Sequence, residues 1–390
     1  MRIVIVRRER GVAFSMDVCT DNLVAELRAL RPHWEIIEVA PQTWHRDRAG
    51  LNPADLWKSG SGIRKYYERF WRHPRAINRL SADIFHIMDQ TDAHVAYAIK
   101  RRQPEAPTVV TCHDLVQFVY PEILRDQSRL PALSMAAWKY SVRGMKKADR
   151  VVAVSHSTAK DVSQFLNISP ENISVVFNGV NSFFYPLSQE SAQSLQLRAA
   201  LKCASDTICL LNVGSTHQRK NILAILQCLK QLRDRHLSVR LWRVGDDFTP
   251  AQKRYIESHQ LSPLICELGK PNQSELRRYY NAADVLLAPS LYEGFGLTIL
   301  EAMACGLPVI AADVSSLPEV AGEAAILVDP ENIDAIAEAV VFLSRDSTYR
   351  STLIQRGLDN ARSFTWKRAA EQLVSLYESL ARVSRLEQYQ

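Results

Sequence analysis

Residues 282–312 read AADVLLAPSLYEGFGLTILEAMACGLPVIAA. The apolar run 284–288, closed by Pro289 and Ser290, has the length of a buried strand. A loop holding Glu293, Gly294, Phe295 and Gly296 follows. From Leu297 the apolar residues recur at helical spacing until Gly306 ends the helix and Pro308 prevents its return. A strand, a glycine-bearing turn and a helix start bring open backbone N–H groups and the positive end of a helix dipole to one point, which favours an anion there. The two glycines let a ligand approach the main chain closely. Glu293 and Glu301 bracket the turn, and a helical rise of 1.5 Å per residue sets them roughly 12 Å apart. That separation suits the two ends of an extended ligand whose phosphates rest between them. Taken alone, the same residues also fit an α/β turn without a ligand, with Glu301 an exposed helical carboxylate.

Outward from this stretch the pattern is strand and helix in alternation. Residues 2–6, 35–39, 83–88, 108–112, 150–154 and 173–177 read as buried strands, with amphipathic stretches between them at 21–31, 93–101, 134–147 and 158–166. The rhythm breaks at Asn178-Gly179 and through a polar stretch at 188–205. It resumes at 208–213, 239–244, 284–289, 308–311 and 325–328, and the chain then turns helical at 333–343, 349–362 and 366–382. Such alternation predicts parallel sheets covered on both faces. We expect two α/β domains, 1–185 and 206–364, joined by a linker at 186–205 and followed by a closing helix at 365–390.

The chain of 390 residues, 47% hydrophobic and 23% charged, has the composition of a globular protein, which argues against disorder. The net charge of +6 divides unevenly, +7 in the first 185 residues and −1 in the rest. An excess this small, with no recognition motif, argues against nucleic acid as a partner. Much of it lies in 58–79, KSGSGIRKYYERFWRHPRAINR, where seven basic residues oppose Glu68 and alternate with Tyr66, Tyr67, Phe70 and Trp71. This segment suits a peripheral contact with anionic membrane. It equally suits a helix with inward aromatics and solvated arginines, interrupted at Pro74. Seven cysteines show neither a CxxC pair nor zinc spacing, so a reducing compartment and no bound metal are expected. The start, MRIVIVRRERG, is too short in apolar residues for a signal core, and no run of eighteen apolar residues occurs. A cytoplasmic protein is expected, with the inner face of the membrane as its peripheral site.

Residues 289–330, PSLYEGFGLTILEAMACGLPVIAADVSSLPEVAGEAAILVDP, resemble the donor-binding core of glycosyltransferase family 4, nucleotide-sugar-dependent enzymes of the GT-B fold. Residues 212–221, NVGSTHQRKN, are similar to the family's other phosphate-contacting segment, and 175–186, VVFNGVNSFFYP, to its interdomain turn. The resemblance implies two Rossmann-like domains facing across a cleft, with a C-terminal helix crossing back to the first. It gives Glu293 the donor-sugar hydroxyls and Glu301 the ribose hydroxyls. Gly294, Phe295, Gly296, Leu297 and Thr298 would face sugar and diphosphate, with Gly214 and Ser215 opposite. It makes Arg219 and Lys220 the cations of the phosphate segment. Breaking a sugar–diphosphate bond puts negative charge on the leaving group, and two fixed cations can stabilise it without a metal or other cofactor.

In the N-terminal half, 108–115 (TVVTCHDL) places His113 and Asp114 at a strand's carboxyl end. The resemblance gives His113 a contact with the donor sugar. A histidine satisfied by Asp114 is the plain alternative, and Asp114 itself reads as a base or as a structural residue. The family's glycine-rich first turn is replaced by RRERGVAFSMD, with Gly11 alone, which leaves the acceptor side open. Gly11, Asp114 and His86, with Asp89 of 83–90 (DIFHIMDQ), are the acceptor-side candidates. The expected activity is retaining transfer of a hexose, with mannose favoured, from GDP-mannose or a UDP-hexose to a hydroxyl of a glycan or lipid-linked acceptor in cell-surface polysaccharide or lipopolysaccharide synthesis. An epimerase or hydrolase of the same fold and a non-catalytic donor-binding partner are the alternatives.

Overall fold

The computed structural model describes residues 1–11, 14–41, 66–123, 131–187 and 192–387. The chain forms two compact units, one of Met1–Phe177 with Trp366–Gln390, the other of Asn178–Thr365. The first unit is built on β1 (Arg2–Val6), β2 (Glu35–Val39), β3 (Ile84–Ile87), β4 (Thr108–Cys112), β5 (Arg150–Ala153) and β6 (Ile173–Val175), in the order β2-β1-β3-β4-β5-β6. Every pair is parallel. Ile3, Val4, Ile5 and Val6 are all fully buried. A strand covered on both faces has no polar side to show, so the run is continuously apolar. Helices Val95–Arg102, Pro131–Arg143 and His156–Leu166 pack over the sheet, the last capped at its start by Ser155 Oγ accepting from Thr158 N at 3.0 Å.

The C-terminal helix Trp366–Glu387 belongs to this first unit and packs on helix Phe14–Leu30. Leu373 and Tyr377 of its apolar face are buried, and Arg31 pairs with Glu378 at 3.1 Å.

The second unit holds β7 (Ile208–Gly214), β8 (Val239–Gly245), β9 (Ile265–Glu267), β10 (Val285–Ala288), β11 (Val309–Ala312) and β12 (Ile326–Val328). Their order is β12-β11-β10-β7-β8-β9, again all parallel. The chain builds outward from β7 through β9, then returns to lay β10 on the other side of β7. The strand order therefore reverses between β7 and β10, as it does between β1 and β3 in the first unit. Crevices outside the carboxyl ends of strands at such reversals are where open α/β sheets bind ligands.

Three sequence readings change. The division falls at Asn178, beside the turn dipeptide, and the 186–205 stretch read as a linker contains helix Ala192–Ala200. Arg198 of that helix binds the Ala282 carbonyl at 3.0 Å and Asp284 at 2.9 Å, which holds it in the second unit. β9, only three residues long, carried too little periodicity to be read. In the basic segment, 58–65 lie outside the described residues. Beyond them a π-helical turn Glu68–Arg72 runs on into helix His73–Ile77, so the regular α-helical bonding breaks just ahead of Pro74, which has no N–H to continue it. Tyr67 and Trp71 point outward at 56% and 54% exposure, while Glu68 and His73 are buried, so inward packing of the aromatics holds only for Phe70, against His94. No helix among the described residues is long and apolar enough to cross a membrane, and no group of three potential metal ligands occurs among them.

Candidate active site

At the β7/β10 reversal the two loops are stitched together. Asn212 of β7 donates its side-chain amide to the Leu287 carbonyl of β10 at 2.8 Å. Beyond the strands, Leu291 N donates to the Arg219 carbonyl at 2.7 Å, and Arg219 Nη1 returns bonds to the Tyr292 carbonyl at 3.1 Å and Glu293 Oε2 at 2.8 Å. Lys220 Nζ reaches the other oxygen, Oε1, which also accepts from Ser290 Oγ at 2.8 Å. The Glu293 main chain is fixed as well, its N–H on Ser315 Oγ and its carbonyl on Ser316 Oγ, each at 2.9 Å. Burial by itself would push the Glu293 carboxyl up, but Lys220 and Arg219 hold it down at about 2. Burial lowers Lys220, and Glu293 opposes that shift.

Glu301 meets different surroundings on the helix Leu297–Ala304. It accepts from Tyr280 Oη at 2.8 Å and has no cation partner among the described residues. Loss of water pushes its carboxyl up to about 7, a rise the tyrosine bond only partly offsets. The helix begins at Gly296, whose φ of +110° is left-handed, and a Cβ there would stand 2.9 Å from Leu317 Cδ2. Leu297 and Thr298 are half-buried in the first turn.

Opposite, β7 ends at Gly214 with the Lys220 side chain against it. Three groups at this point escaped the sequence reading. Gly245 ends β8 at φ +128°, and a Cβ there would fall 1.8 Å from the Gly214 carbonyl oxygen. Arg243, 2% exposed, donates to that oxygen at 2.7 Å and also to the Val244 carbonyl. Tyr280 is fully buried under Glu301. A valine-glycine pair after an apolar run, Val244-Gly245, was the available signal for Gly245. Nothing in sequence marks Arg243 or Tyr280.

In the first unit, β1 ends in two arginines of opposite character. Arg7 is buried and paired with Asp17, Asp21 and Glu38 at 3.3, 2.7 and 2.6 Å. Arg8, also missed in the sequence, is partly exposed and contacts Asp89 at 3.4 Å across the β1/β3 reversal. Asp89 also accepts from Thr91 N at 2.7 Å; burial would raise its carboxyl, and Arg8 with His113 holds it low. His113 is buried, with Nε2 donating to the Met88 carbonyl at 2.8 Å and its backbone N–H to Gln90 Oε1 at 3.0 Å. It is thus oriented by the loop after β3, and not by Asp114, which accepts from Val116 N at 3.2 Å. Gly11 is exposed at φ +81° and donates its N–H to Asp17 at 2.7 Å.

His86 is not at this edge. It is fully buried within β3, bonded at Nδ1 to Tyr377 Oη and at Nε2 to Thr111 Oγ1 at 2.7 Å, and burial lowers it to about 3. Its alternation along the strand points it to the helix-covered face, so it pins the C-terminal helix and touches no acceptor. The structure therefore gathers Gly214, Arg219, Lys220, Glu293 and Gly296 at one reversal, sets Glu301 on the adjoining helix, and leaves Gly11, His113 and Asp114 at the carboxyl edge of the other sheet.

Comparison with known proteins agrees with this fold. The family model for glycosyltransferase family 4 matches residues 16–182, and that for glycosyl transferases group 1 matches 207–346. The chain is 31% identical over 278 residues to the O-antigen chain mannosyltransferase B of Escherichia coli, covering 70% of each chain. Among solved structures, the sucrose-phosphate synthase of Thermosynechococcus elongatus superposes with a TM-score of 0.73 at 22% identity, covering 98% of this chain and 100% of that one. Anabaena HepE, in complex with UDP, does so at 0.71 and 18%, covering 97% and 100%. With two parallel six-stranded sheets, both family models and a relative this similar, the chain belongs to the family 4 glycosyltransferases and has their GT-B fold.

Proposed function

We propose that this glycosyltransferase is a retaining enzyme that moves a hexose, mannose in our reading, from a nucleoside-diphosphate sugar to a hydroxyl of a glycan or lipid-linked acceptor. The observation that carries the reading is the cluster of Arg219, Lys220 and Glu293 at the β7/β10 reversal, two cations against one buried carboxylate beside a helix start. When the bond from the anomeric carbon to the diphosphate breaks, its electron pair goes to the phosphate oxygen. Arg219, Lys220 and the backbone after Gly296 stabilise that charge. Glu293, fixed at its side chain and its main chain, orients sugar hydroxyls, and Glu301 accepts from the ribose. Retention follows if the acceptor oxygen attacks from the leaving-group face and its proton passes to a donor phosphate oxygen, which asks for no protein nucleophile. The acceptor is read to the first unit's carboxyl edge, near Arg8, Gly11, Asp89 and Asp114, with His113 read as the contact to the donor sugar.

GDP-mannose is the favoured donor, supported by the mannosyltransferase similarity, with UDP-hexoses as competitors. The same similarity supports a place in cell-surface polysaccharide or lipopolysaccharide assembly. Our reading puts the enzyme on the cytoplasmic face of the membrane, with peripheral contact through the basic segment. A thermal-shift screen of GDP, UDP and their sugars identifies the donor, because a ligand that binds only the folded form raises the melting temperature. Labelled donor incubated with a membrane-lipid extract then tests transfer. Label in lipid or glycan, with the donor's anomeric configuration kept, supports the reading. Free hexose formed regardless of acceptor indicates a hydrolase, and binding with no turnover a non-catalytic partner.

A further inference from the structure

We propose that the segments by which the chain enters and leaves the second unit hold the two halves of the donor site separately, Phe184 positioning Glu301 and Phe364 positioning the turn Gly294-Phe295-Gly296. Resting on the donor assignment above, this makes both rings positioning residues, which act through Tyr280 and through Phe295.

The chain enters the unit at Asn178 and leaves it at Thr365. The two ends are tied, since Val180 pairs in parallel with Thr365 and donates its N–H to the Phe364 carbonyl at 2.9 Å. Past Val180 the entering segment lies on helix Gln273–Ala282. The Arg277 guanidinium stands 4.3 Å from the centre of the Phe183 ring and 4.3 Å from that of Tyr185, and it donates to the Phe183 carbonyl at 3.2 Å. Asn281 of the same helix donates to the Tyr185 carbonyl at 3.2 Å and accepts from Leu187 N. Held on both sides in this way, Phe184 is buried edge-on against Tyr280, with ring centres 5.8 Å apart at 83°. Tyr280 is the group whose Oη donates to Glu301. Without the Phe184 ring a cavity opens beside Tyr280, and a ring that tips into it takes its hydroxyl off Glu301.

The leaving segment meets the other half. Phe364 lies edge-on to Phe295, with ring centres 6.0 Å apart at 67°. Glycines flank Phe295 on both sides, so the backbone there has little conformational preference of its own. Ser316 Oγ donates to the Phe295 carbonyl at 2.9 Å, and the Phe295 ring, the one side chain of the turn, is buried. Its contact with Phe364 therefore helps fix where the N–H groups of the helix start point.

Calorimetric titration and labelled-donor kinetics on the full chain read the two halves apart. The probes are GDP and UDP, each with its 2′-deoxy counterpart. Wild type should bind one ribonucleotide at least about tenfold more tightly than the deoxy form, because Glu301 accepts from the ribose. Phe184→Ala should narrow that preference to about twofold, whereas Phe364→Ala should keep it and lower kcat by about ten to a hundredfold. Phe184→Leu and Phe364→Leu refill most of the volume without the ring edge, so they show the same split at smaller size even where an alanine variant fails to fold. Melting curves confirm that each variant is folded at the assay temperature. A merely structural role would lower affinity and turnover together and leave the ribose preference alone. Wild-type values in the folded variants, or the same loss pattern in both, overturn the proposal and leave the donor reading standing. A wild type that binds neither nucleotide overturns the donor reading and this proposal with it.

Discussion

Glu301→Gln should make the free protein more stable at alkaline pH while costing it the nucleotide. The carboxyl of Glu301 stands at about 7 in the folded chain against an ordinary 4.5. Between those pH values the native state holds a proton that the unfolded chain has released, so stability falls as pH rises. The contribution is complete below about pH 4.5 and gone above about 7, and the difference amounts to about 3 kcal/mol. Glutamine has the shape of the protonated acid and can still accept from Tyr280. The variant should therefore match wild type near pH 4.5 and exceed it by about 3 kcal/mol at pH 8, which for a unit of this size raises the melting temperature on the order of 10 °C. Calorimetric scans at both pH values read this directly. Repeating them with nucleotide at about a hundred times its dissociation constant should add about 2.7 kcal/mol to wild type and much less to the variant. Identical melting of the two proteins at pH 8 would refute the reasoning, because the carboxylate would then ionise in place at no cost.

Glu293 behaves oppositely, since its carboxyl is held at about 2; its contribution is present above about 4.5 and lost as pH falls through 2, so Glu293→Gln should cost about 3 kcal/mol at pH 7 in a melting experiment. Lys220→Ala should lower kcat by about a hundred to a thousandfold in a labelled-donor assay; a loss under fivefold would remove the residue from leaving-group stabilisation. Gly245→Ala drives a methyl into the Gly214 carbonyl and should prevent folding of the second unit, whereas Gly11→Ala, with open space around it, should cost about 1 kcal/mol, as expression and melting would show. Arg8→Gln should raise the acceptor KM and leave donor hydrolysis unchanged; a change in donor KM instead would place Arg8 on the donor.

Much of this was legible because it depends on period and punctuation. Continuous apolar strands such as Arg2–Val6, and the run of strand, glycine turn and helix around Gly296, are local patterns that tertiary contacts reinforce. Glu293, Arg219 and Lys220 were found through motif order, though no sequence pattern showed that both cations close on one carboxylate. What stayed hidden was orientation and long-range pairing. His86 and Asp89 lie three residues apart, yet one is sealed against Tyr377 from a helix 291 residues away and the other sits at a strand reversal. Trp71 and Tyr67 looked like core because large aromatics usually bury, but Glu68 and His73 take the inward positions on that turn.

The charge arrangement at the β7/β10 reversal argues for an anionic ligand independently of any family pattern. Arg219 and Lys220 share Glu293, which leaves one positive charge in excess. Arg243 adds a second, buried behind Gly214 and, among the described residues, hydrogen-bonded to the Gly214 and Val244 carbonyls; of the two carboxylates that act on it, Asp246 is paired to Lys270 at 2.8 Å and Glu267 stands on the neighbouring strand. Burial lowers Arg243 to about 10, so it stays cationic near neutrality. Withdrawing cations from water without matching carboxylates is costly, and apolar side chains of similar volume would serve folding at least as well. The net positive charge left at the reversal suits an anionic ligand such as the proposed diphosphate. The position of Arg243 also makes it more than a counter-charge, because its bond to the Gly214 carbonyl fixes the glycine turn whose close approach Gly245 permits. One buried residue thus helps set both the potential and the shape of the surface proposed to meet the phosphates.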